Sequence, residues 1–421
     1  MAAVKETRNP ILQQVDDKEM RVTVVRAVDG DGSSATMDAF GRQRVSNTGQ
    51  RLDVEFIYDK QEEFFDEITN NGAVTFNANS RDLTLSISDT LTTTYSNMRS
   101  HPVPYTPGNS QLIDITGVLD LAGVGGGNAE VFLRSKVTGT VTEEVIEQAD
   151  WLNLNSGVDW TKSHILAMDF QSLKVGRIRY FLVGDGRATK IAEIVNDNKY
   201  NTGYWQVPSL PVYWKLYNDA TYTYMEMGYG NDDNGIGIRY KTTKSASCTM
   251  KAICCTVKSE GGYGLAELPG LPRAVCNNVT PVSVSTTLVP VLSIRAKDLF
   301  KTYDNLGIAL PKAYDLATNN KIKFSIIHDG VLTGASWADV DTESMMEYDV
   351  SATAITGGHV IDSGYVTTSV KNSGASGGGL LGKTVVWNRL NGFTGIITIA
   401  AIRTTTSDAD VYAAIRWDEI R

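Results

Sequence analysis

The chain has 421 residues and a formal charge of −9, from 39 basic and 48 acidic side chains. Its apolar fraction of 42% is too high for a disordered chain, because that much apolar surface can form a large core. The negative charge argues against a nucleic-acid-binding protein, whose contact surface is normally basic. Only four His and four Cys are present, so metalloenzymes and Cys/His hydrolases are disfavoured while carboxylate chemistry stays open.

The N-terminal segment carries charges throughout and lacks an apolar core of signal-peptide length. The longest apolar runs, such as residues 396–402, fall far short of the roughly 20 residues that span a bilayer. We therefore expect a soluble protein that is made in a cytoplasm and has no membrane span.

Residues 1–37 are predicted to form an extended arm that ends in a small, flexible DGDGSSAT stretch. Residues 20–28 of this arm have the composition of a strand. A strand in an arm can add to the sheet of a neighbouring subunit. The candidate assembly residues are Met20, Val22, Val24 and Val28.

Beyond the arm, apolar and polar residues alternate with the period of two that a half-buried strand requires. The alternation is clearest in residues 83–88 and 411–417. Further strand-like runs are residues 111–118, 131–137, 165–170, 178–182, 222–227, 250–257, 322–327 and 396–402. Turn dipeptides such as Asn71-Gly72 separate them. Residues 60–68 and 142–151 are each predicted to form a short helix.

Many short strands without alternating helices predict an all-β fold of two antiparallel β-sandwich domains with Greek-key or jelly-roll connections. The first domain is predicted at 38–262 and the second at 291–421. Residues 263–290, between the two domains, are predicted to form a Pro-rich linker. The residues that indicate this linker are Pro269, Gly270, Pro272, Pro281 and Pro290. Three of the cysteines, Cys248, Cys254 and Cys255, are interpreted as small buried apolar side chains in or near one strand.

The segment 377–384 fits the phosphate-binding pattern G-x-x-x-x-G-K-[ST] letter for letter. Such a loop must follow a buried strand and open a helix. Here a Gly/Ser-rich stretch precedes it and a β-branched stretch, Thr384-Val385-Val386, follows. We interpret the segment as a flexible hairpin loop, and we expect no cofactor.

An acidic turn, Asn231-Asp232-Asp233-Asn234-Gly235, suggests calcium. An EF-hand loop needs an acidic ligand five positions before its glycine, and Gly230 stands there. A turn rich in Asn and Asp is the better interpretation, and no metal ligands are predicted.

Ten aromatic residues lie between residues 200 and 240. Some must fill the core, whereas an exposed subset would contact a subunit or stack on sugar rings. The candidate interface or glycan-contact side chains are Tyr204, Trp205, Tyr213, Trp214 and Tyr229. No catalytic residue is predicted, because a glycosidase needs two carboxylates opposed across a cleft and the sequence does not reveal such a pair.

Several strings resemble one family. They are DAFGRQRVSN at 38–47, PGNSQL at 107–112, DFQSLKVGRIR at 169–179, CTVKSEGG at 255–262, LSIR at 292–295, LTGASW at 332–337 and EYDVSAT at 347–353. These strings are similar to segments of structural proteins of tailed bacteriophages and some large DNA viruses, which share a DAFGRLRVSNP-type opening. Two positions depart from that opening: Gln43 replaces a Leu, and Thr48 replaces a Pro. The resemblance runs from about residue 38 to 415.

The resemblance implies a non-enzymatic virion component built of β-sandwiches, the first of them lectin-like or jelly-roll-like. Its position would be a fibre, the tail or neck, or the capsid surface. Its partners would be other virion proteins and copies of itself, with a trimer expected for a fibre-like part. We expect it in the virion, after assembly in the host cytoplasm, without nucleic acid contact. The alternatives are a carbohydrate-binding adhesin for the host surface and, third, a glycan-cleaving enzyme.

Overall fold

The structure is a computed structural model that describes residues 11–15, 18–22, 49–105, 109–123, 126–137, 139–171, 174–199, 201–260, 270–277, 280–367, 372–373, 385–387 and 395–421. Within these ranges the one helical element is a 3-10 turn, Gln148–Asp150. Every strand pairing is antiparallel, so the predicted all-β fold of antiparallel sandwiches is confirmed. The same described residues contain no helix with the length and apolar character that crossing a membrane requires.

Two strands lie in the predicted arm, β1 (Ile11–Val15) and β2 (Lys18–Val22). They form a hairpin in which Ile11 is opposite Val22. Of the candidate assembly residues, Met20 and Val22 lie in β2, whereas Val24 and Val28 lie outside the described residues.

The first sandwich consists of fifteen described strands. They are β3 (Gly49–Glu55), β4 (Phe65–Asn70), β5 (Gly72–Asn77), β6 (Asp82–Ile87), β7 (Tyr95–Ser100), β8 (Ser110–Val118), β9 (Asn128–Ser135), β10 (Thr142–Glu147), β11 (His164–Gln171), β12 (Ile178–Gly184), β13 (Arg187–Ile194), β14 (Val212–Asn218), β15 (Tyr222–Gly230), β16 (Gly235–Thr243) and β17 (Thr249–Ser259). The front sheet has the order β10-β9-β16-β15-β14-β7-β4. The back sheet has the order β13-β12-β11-β8-β17-β6-β5, and β3 also pairs with β17.

One hydrophobic core lies between these two sheets and joins Trp214 and Met227 of the front sheet to Ile115 and Val257 of the back sheet. Strand β17 shows how the core is kept continuous. A β-bulge between Ala252 and Cys254 shifts the alternation by one residue, so that buried positions continue on the same face beyond the bulge. Cys248 and Cys255 are buried as expected, whereas Cys254 is half-buried. Burial raises the pKa of Cys255 well above its ordinary value.

Both predicted helices are wrong. Residues 60–68 contain a turn and the start of β4, because Phe65 is buried in the core and pairs with Ser100 of β7. Residues 142–151 contain β10 and the 3-10 turn, because Glu143 and Glu147 lie on one face of a strand and form ion pairs with basic residues of β9 and β16. In both segments tertiary pairing outweighs a weak helical propensity.

The second sandwich consists of sixteen described strands. They are β18 (Leu271–Cys276), β19 (Val282–Val284), β20 (Val289–Ala296), β21 (Leu299–Phe300), β22 (Tyr303–Asp304), β23 (Ile308–Thr318), β24 (Ile322–His328), β25 (Val331–Thr333), β26 (Ala338–Asp339), β27 (Met346–Asp349), β28 (Ala354–Thr356), β29 (His359–Val366), β30 (Asn372–Ser373), β31 (Val386–Trp387), β32 (Ile396–Arg403) and β33 (Ala409–Ile420). One sheet has the order β18-β33-β23-β30, with β19 on β33 and β31 on β23. The other has the order β26-β27-β20-β32-β24-β29.

The structure differs from the predicted linker at 263–290. Strands β18 and β19 both fall in that range and pair with β33, where Val275 is opposite Ile415 and Val282 is opposite Val411. Two prolines are accommodated because Pro272 lies on the outer strand of its sheet and Pro281 precedes β19. The residues between 263 and 269 lie outside the described residues, and the predicted domain boundaries stay predictions.

The two sandwiches meet at a seam that contains three of the four histidines. The ring of His101, after β7, lies 4.1 Å from that of Trp387 and 6.1 Å from that of His328, both in the second sandwich. At the same seam His359 Nδ1 lies 3.4 Å from a carboxylate oxygen of Glu63. A small cleft of about 50 Å³ beside Trp387 is lined by residues of both sandwiches, including Arg99 and Ile308.

Candidate functional site

The outer face of the front sheet carries a network of charged side chains. Arg134 of β9 binds Glu226 of β15 through both terminal nitrogens, each 3.2 Å from a carboxylate oxygen. Glu226 also accepts hydrogen bonds from the hydroxyl groups of Tyr213 and, at 3.2 Å, Tyr217. The side chain of Glu226 is 0% exposed and that of Arg134 is 8% exposed. This ion pair is therefore removed from solvent although it lies on the outer side of the sheet.

A second arginine extends the network toward the sheet edge. Arg239 of β16 lies 2.5 Å from Glu130 and 2.8 Å from Glu143. Glu143 is shared, because Arg134 Nε donates to it at 2.7 Å. Lys241 continues the chain of contacts by bridging Glu130 at 2.5 Å and Glu147 at 2.7 Å. Each of these carboxylates thus contacts at least one cation.

Two opposed glycines make room for this arrangement. Gly228 of β15 and Gly237 of β16 face each other across the strands. A Cβ atom on Gly237 would lie 2.9 Å from the Phe132 ring, and one on Gly228 would lie 3.0 Å from the Tyr213 hydroxyl. The Phe132 ring in turn lies 4.9 Å and 5.1 Å from the guanidinium carbons of the two arginines, within the range of cation–π contacts.

The protonation states follow from these contacts. Burial alone raises the pKa of Glu226, but the charges of Arg134 and Arg239 and the Tyr213 hydroxyl outweigh it and hold that pKa below its ordinary value. Burial, followed by the charge of Glu226, raises the pKa of Tyr213 and of Tyr217 well above the usual range. Glu226 is therefore a carboxylate and both tyrosines stay protonated as donors. The arrangement fixes charges in place and leaves no weakly held proton.

Four of the five candidate contact aromatics belong to the hydrophobic core, whereas Tyr213 is buried on the outer face of the front sheet, within the charge network. Tyr204, Trp205, Tyr213, Trp214 and Tyr229 all expose 3% or less of their surface. Trp205 and Trp214 donate from their ring nitrogens to the carbonyls of Arg134 and Thr116, each at 3.2 Å. Tyr229 donates to the carbonyl of Pro208 at 2.9 Å. Because the polar atoms of Trp205, Trp214 and Tyr229 have partners inside the sandwich, these three rings pack inward. All five side chains are buried within this chain, so none of them lies on the exposed surface that an interface or glycan contact requires.

A separate pocket of about 370 Å³ opens at one end of the first sandwich, between β8, β9 and the loop that leads into β11. Its lining includes the carboxylates of Asp120 and Asp159 and the side-chain amides of Asn128 and Asn155. It also includes the aromatic rings of Trp160 and Tyr240. Its lining contains neither Lys nor Arg.

The rings of this pocket are held by hydrogen bonds. Trp160 donates from its ring nitrogen to Gln148 Oε1 at 3.1 Å. The Tyr240 hydroxyl accepts from the backbone nitrogen of Gly127 at 3.0 Å and is hydrogen bonded to Asp120. Burial and Asp120 raise the pKa of Tyr240, so the hydroxyl is protonated and donates to that carboxylate. The result is a preformed pocket with a fixed acceptor at Asp120.

The acidic turn at 231–235 connects β15 to β16. Asn231 Oδ1 accepts from the backbone nitrogens of Asp233 at 3.0 Å and Asn234 at 2.7 Å, which closes the turn. The Asp232 carboxylate is paired with Lys215 and that of Asp233 lies 2.9 Å from Lys136. Within the described part of the chain, no group of three or more His, Cys, Asp and Glu side chains has the proximity to hold a metal ion.

The loop at 377–384 lies outside the described residues. The front-sheet network and the pocket were both missed in the sequence. One signal was available: Gly228 and Gly237 interrupt otherwise regular strand patterns, and glycine inside a strand often marks a close approach. The pocket had no comparable signal, because its lining comes from five separate segments.

No protein-family model and no curated protein matches the chain. Solved structures align with about half of it. An endo-1,3-beta-glucanase from Streptomyces sioyaensis aligns over 51% of this chain and 97% of its own, at 11% identity and a TM-score of 0.30. A seed lectin from Lotus tetragonolobus aligns over 49% and 98%, at 12% identity and a TM-score of 0.20. The potassium-bound carbohydrate recognition domain of Emp46p aligns over 49% and 95%, at 11% identity and 0.18. Alignments with TM-scores and identities this low carry no conclusion about the ligand or activity of this chain.

Proposed function

We propose that the chain is a non-enzymatic structural protein of a bacteriophage virion and forms part of a fibre, a tail or neck, or a capsid-surface assembly. The proposal starts from the strings between residues 38 and 353 that resemble such proteins. The acidic, His-poor composition is compatible with a protein that contacts other proteins or the exterior and not the packaged genome. Its expected location is the virion, after assembly in the host cytoplasm.

The proposal that the protein is not an enzyme rests on the burial, the binding partners and the pKa of Glu226. It is buried, bound by Arg134 and two tyrosines, and has a lowered pKa. Hydrolysis of a glycosidic bond needs a carboxylic acid whose pKa is raised, facing a second carboxylate across an open cleft. The most prominent carboxylate of the front sheet has the opposite properties. This supports a protein that works through its surfaces.

The N-terminal arm is an argument for the proposed role in assembly. It contains the hairpin β1–β2, and the neighbouring sandwich presents outer strands, such as β13 and β5, at the ends of its back sheet. Outer strands offer unpaired backbone groups to a neighbouring chain. In this proposal the arm joins the chain to other virion proteins or to further copies of itself, and a trimer is the expected oligomer for a fibre-like part.

Deletion of residues 1–37 tests the assembly role. The deleted chain is expected to fold, with an unchanged β-rich circular dichroism spectrum, and to be missing from purified particles. The exposed-turn variant Asp185→Asn provides a full-length control that should enter particles normally. Normal incorporation of the deleted chain would refute the role of the arm.

The second candidate function is a carbohydrate-binding adhesin that recognises a host surface. The pocket beside Trp160 favours it, because polar acceptors around ring side chains are the groups that bind hydroxyl-rich ligands. A glycan array probed with the full-length protein tests this candidate. Binding to a defined group of glycans would support it, and the absence of binding by the intact protein would count against it.

A further inference from the structure

We infer that the pocket beside Trp160 is a binding site for a single uncharged sugar unit. The inference rests on the second candidate function and specifies its site and ligand class. Its volume of about 370 Å³ lies in the range of roughly 300–1,000 Å³ that is usual for small-molecule sites. A site of this size accommodates a pyranose ring and is too small for a folded partner.

The first step concerns the acceptor at the bottom of the pocket. Asp120 is 2% exposed and is oriented by the Tyr240 hydroxyl. A carboxylate offers roughly four acceptor positions on its two oxygens, so a carboxylate oriented by a tyrosine can also accept hydrogen bonds from ligand hydroxyl groups. Hydrogen bonds to a charged acceptor are about twice as strong as those between neutral groups. Asp120 is therefore the group that anchors a ligand by two neighbouring hydroxyl groups.

The second step concerns the rim. Asn128 and Asn155 are exposed and line the pocket with side-chain amides, which both donate and accept. Asp159 lies on the same rim, where the hydrogen bonds from the side chain and backbone of Thr161 lower its pKa and keep it charged. A sugar hydroxyl also donates and accepts, so mixed amide and carboxylate groups match it. The Trp160 and Tyr240 rings, 7% and 5% exposed, form the apolar wall of the pocket.

The third step concerns charge. Two carboxylates line the pocket, and its lining contains neither Lys nor Arg. Lys162 acts on the charge of Asp159 from outside the lining. The pocket therefore repels sialic acids, uronic acids and phosphorylated or sulfated sugars, because its two carboxylates and the negative charge of such a ligand repel each other. Neutral hexoses and N-acetylhexosamines remain as the ligand class.

The shape of the pocket depends on one glycine. A Cβ atom on Gly127 would lie 2.3 Å from the Tyr240 ring and 2.5 Å from its hydroxyl oxygen. Any side chain there pushes the tyrosine away from Asp120. Gly127 thus belongs to the site as a residue that positions Tyr240.

Titration of the full-length protein with free sugars tests the inference. The probes are methyl glucoside, methyl galactoside, N-acetylglucosamine and N-acetylneuraminic acid, followed by ligand-observed NMR. We expect binding of at least one neutral probe and none of N-acetylneuraminic acid. Asp120→Asn and Asn155→Ala should each weaken that binding about tenfold or more, since each removes a direct hydrogen bond. Asp185→Asn, an equivalent change on an exposed turn, should leave it unchanged.

Asn155→Ala keeps the test valid if Asp120→Asn fails to fold, because Asn155 lies on an exposed loop. Binding of the acidic probe alone would overturn the inference, as would the absence of binding by all four probes. If both variants bind a neutral sugar as well as the wild type does, the assigned site is wrong. The adhesin function would then require a different binding surface. Incorporation into particles is measured separately, so none of these results decides the structural role.

Discussion

Arg134 and Glu226 lie on strands that are not neighbours, yet they bind each other through two N–O contacts of 3.2 Å. Strand β16 runs between them, and two of its residues on this face are Gly235 and Gly237. Because neither glycine has a side chain, the arginine reaches across β16 to the carboxylate. The buried charge network of the first sandwich therefore depends on where the sequence places its glycines.

Glu226→Gln tests the stabilising role of this pair. The change keeps the shape and removes the charge, so Arg134 is left buried with less compensation. Loss of one partner from a buried pair costs about 3–5 kcal/mol. We expect a decrease of that size in the free energy of unfolding, measured with urea and tryptophan fluorescence. Glu144→Gln removes a carboxylate from a partly exposed pair with Lys199 and should cost at most about 1 kcal/mol. Equal effects of the two variants would contradict the account.

The same carboxylate should make stability depend on pH. The pKa of Glu226 is lower in the folded chain than its ordinary value of 4.5, so near that pH the unfolded chain binds more protons. Its contribution to stability is therefore present above about pH 4.5 and is lost as the pH falls through the folded-state pKa. Between pH 7 and pH 3 the wild type should lose more free energy of unfolding than Glu226→Gln. A loss as large in the variant would show that other groups cause the acid sensitivity.

Gly237→Ala tests the packing of Phe132. The added methyl group would lie 2.9 Å from the ring and 2.6 Å from the backbone oxygen of Met227, so ring and strand must move. Overpacking of this kind costs about 1–3 kcal/mol. Gly184→Ala is a matched control, because a Cβ atom there has no neighbour within 4 Å among the described residues. We expect a lower thermal midpoint for the first variant only, by differential scanning calorimetry.

His101→Ala tests whether the seam couples the two sandwiches. The change removes the ring contact with Trp387 at 4.1 Å and leaves both hydrophobic cores intact. We expect the calorimetric transitions of the two sandwiches to separate more widely than in the wild type. Tyr365→Ala, an exposed site at the far end of the strand that begins at His359, should leave the separation unchanged. An unchanged thermogram for His101→Ala would show that this contact does not couple them.

Much of the fold could be predicted from the sequence because alternation records which face of a strand is buried. In β33 the alternation spans the whole strand from Ala409 to Glu419 and matches the predicted pattern. The two predicted helices failed because residues such as Phe65 gain more from packing and cross-strand pairing than from local propensity.

The sites were harder to predict than the strands. Arg134 and Glu226 are 92 positions apart, so their contact depends on the register of three strands, which one sequence does not reveal. The cluster of aromatics near residue 210 and the burial of some of its members were visible, but which members are buried was not. A tyrosine such as Tyr229 has the same sequence signature whether its hydroxyl meets water or, as here, a backbone carbonyl.

The measurement that tests the central proposal most directly is the location of this chain in intact particles. Purified phage particles should contain the full-length chain at a fixed stoichiometry by quantitative mass spectrometry. Electron cryomicroscopy of the same particles should then show density for two β-sandwiches at a repeated, symmetric position. Particles that are complete and infectious without the chain would contradict the account.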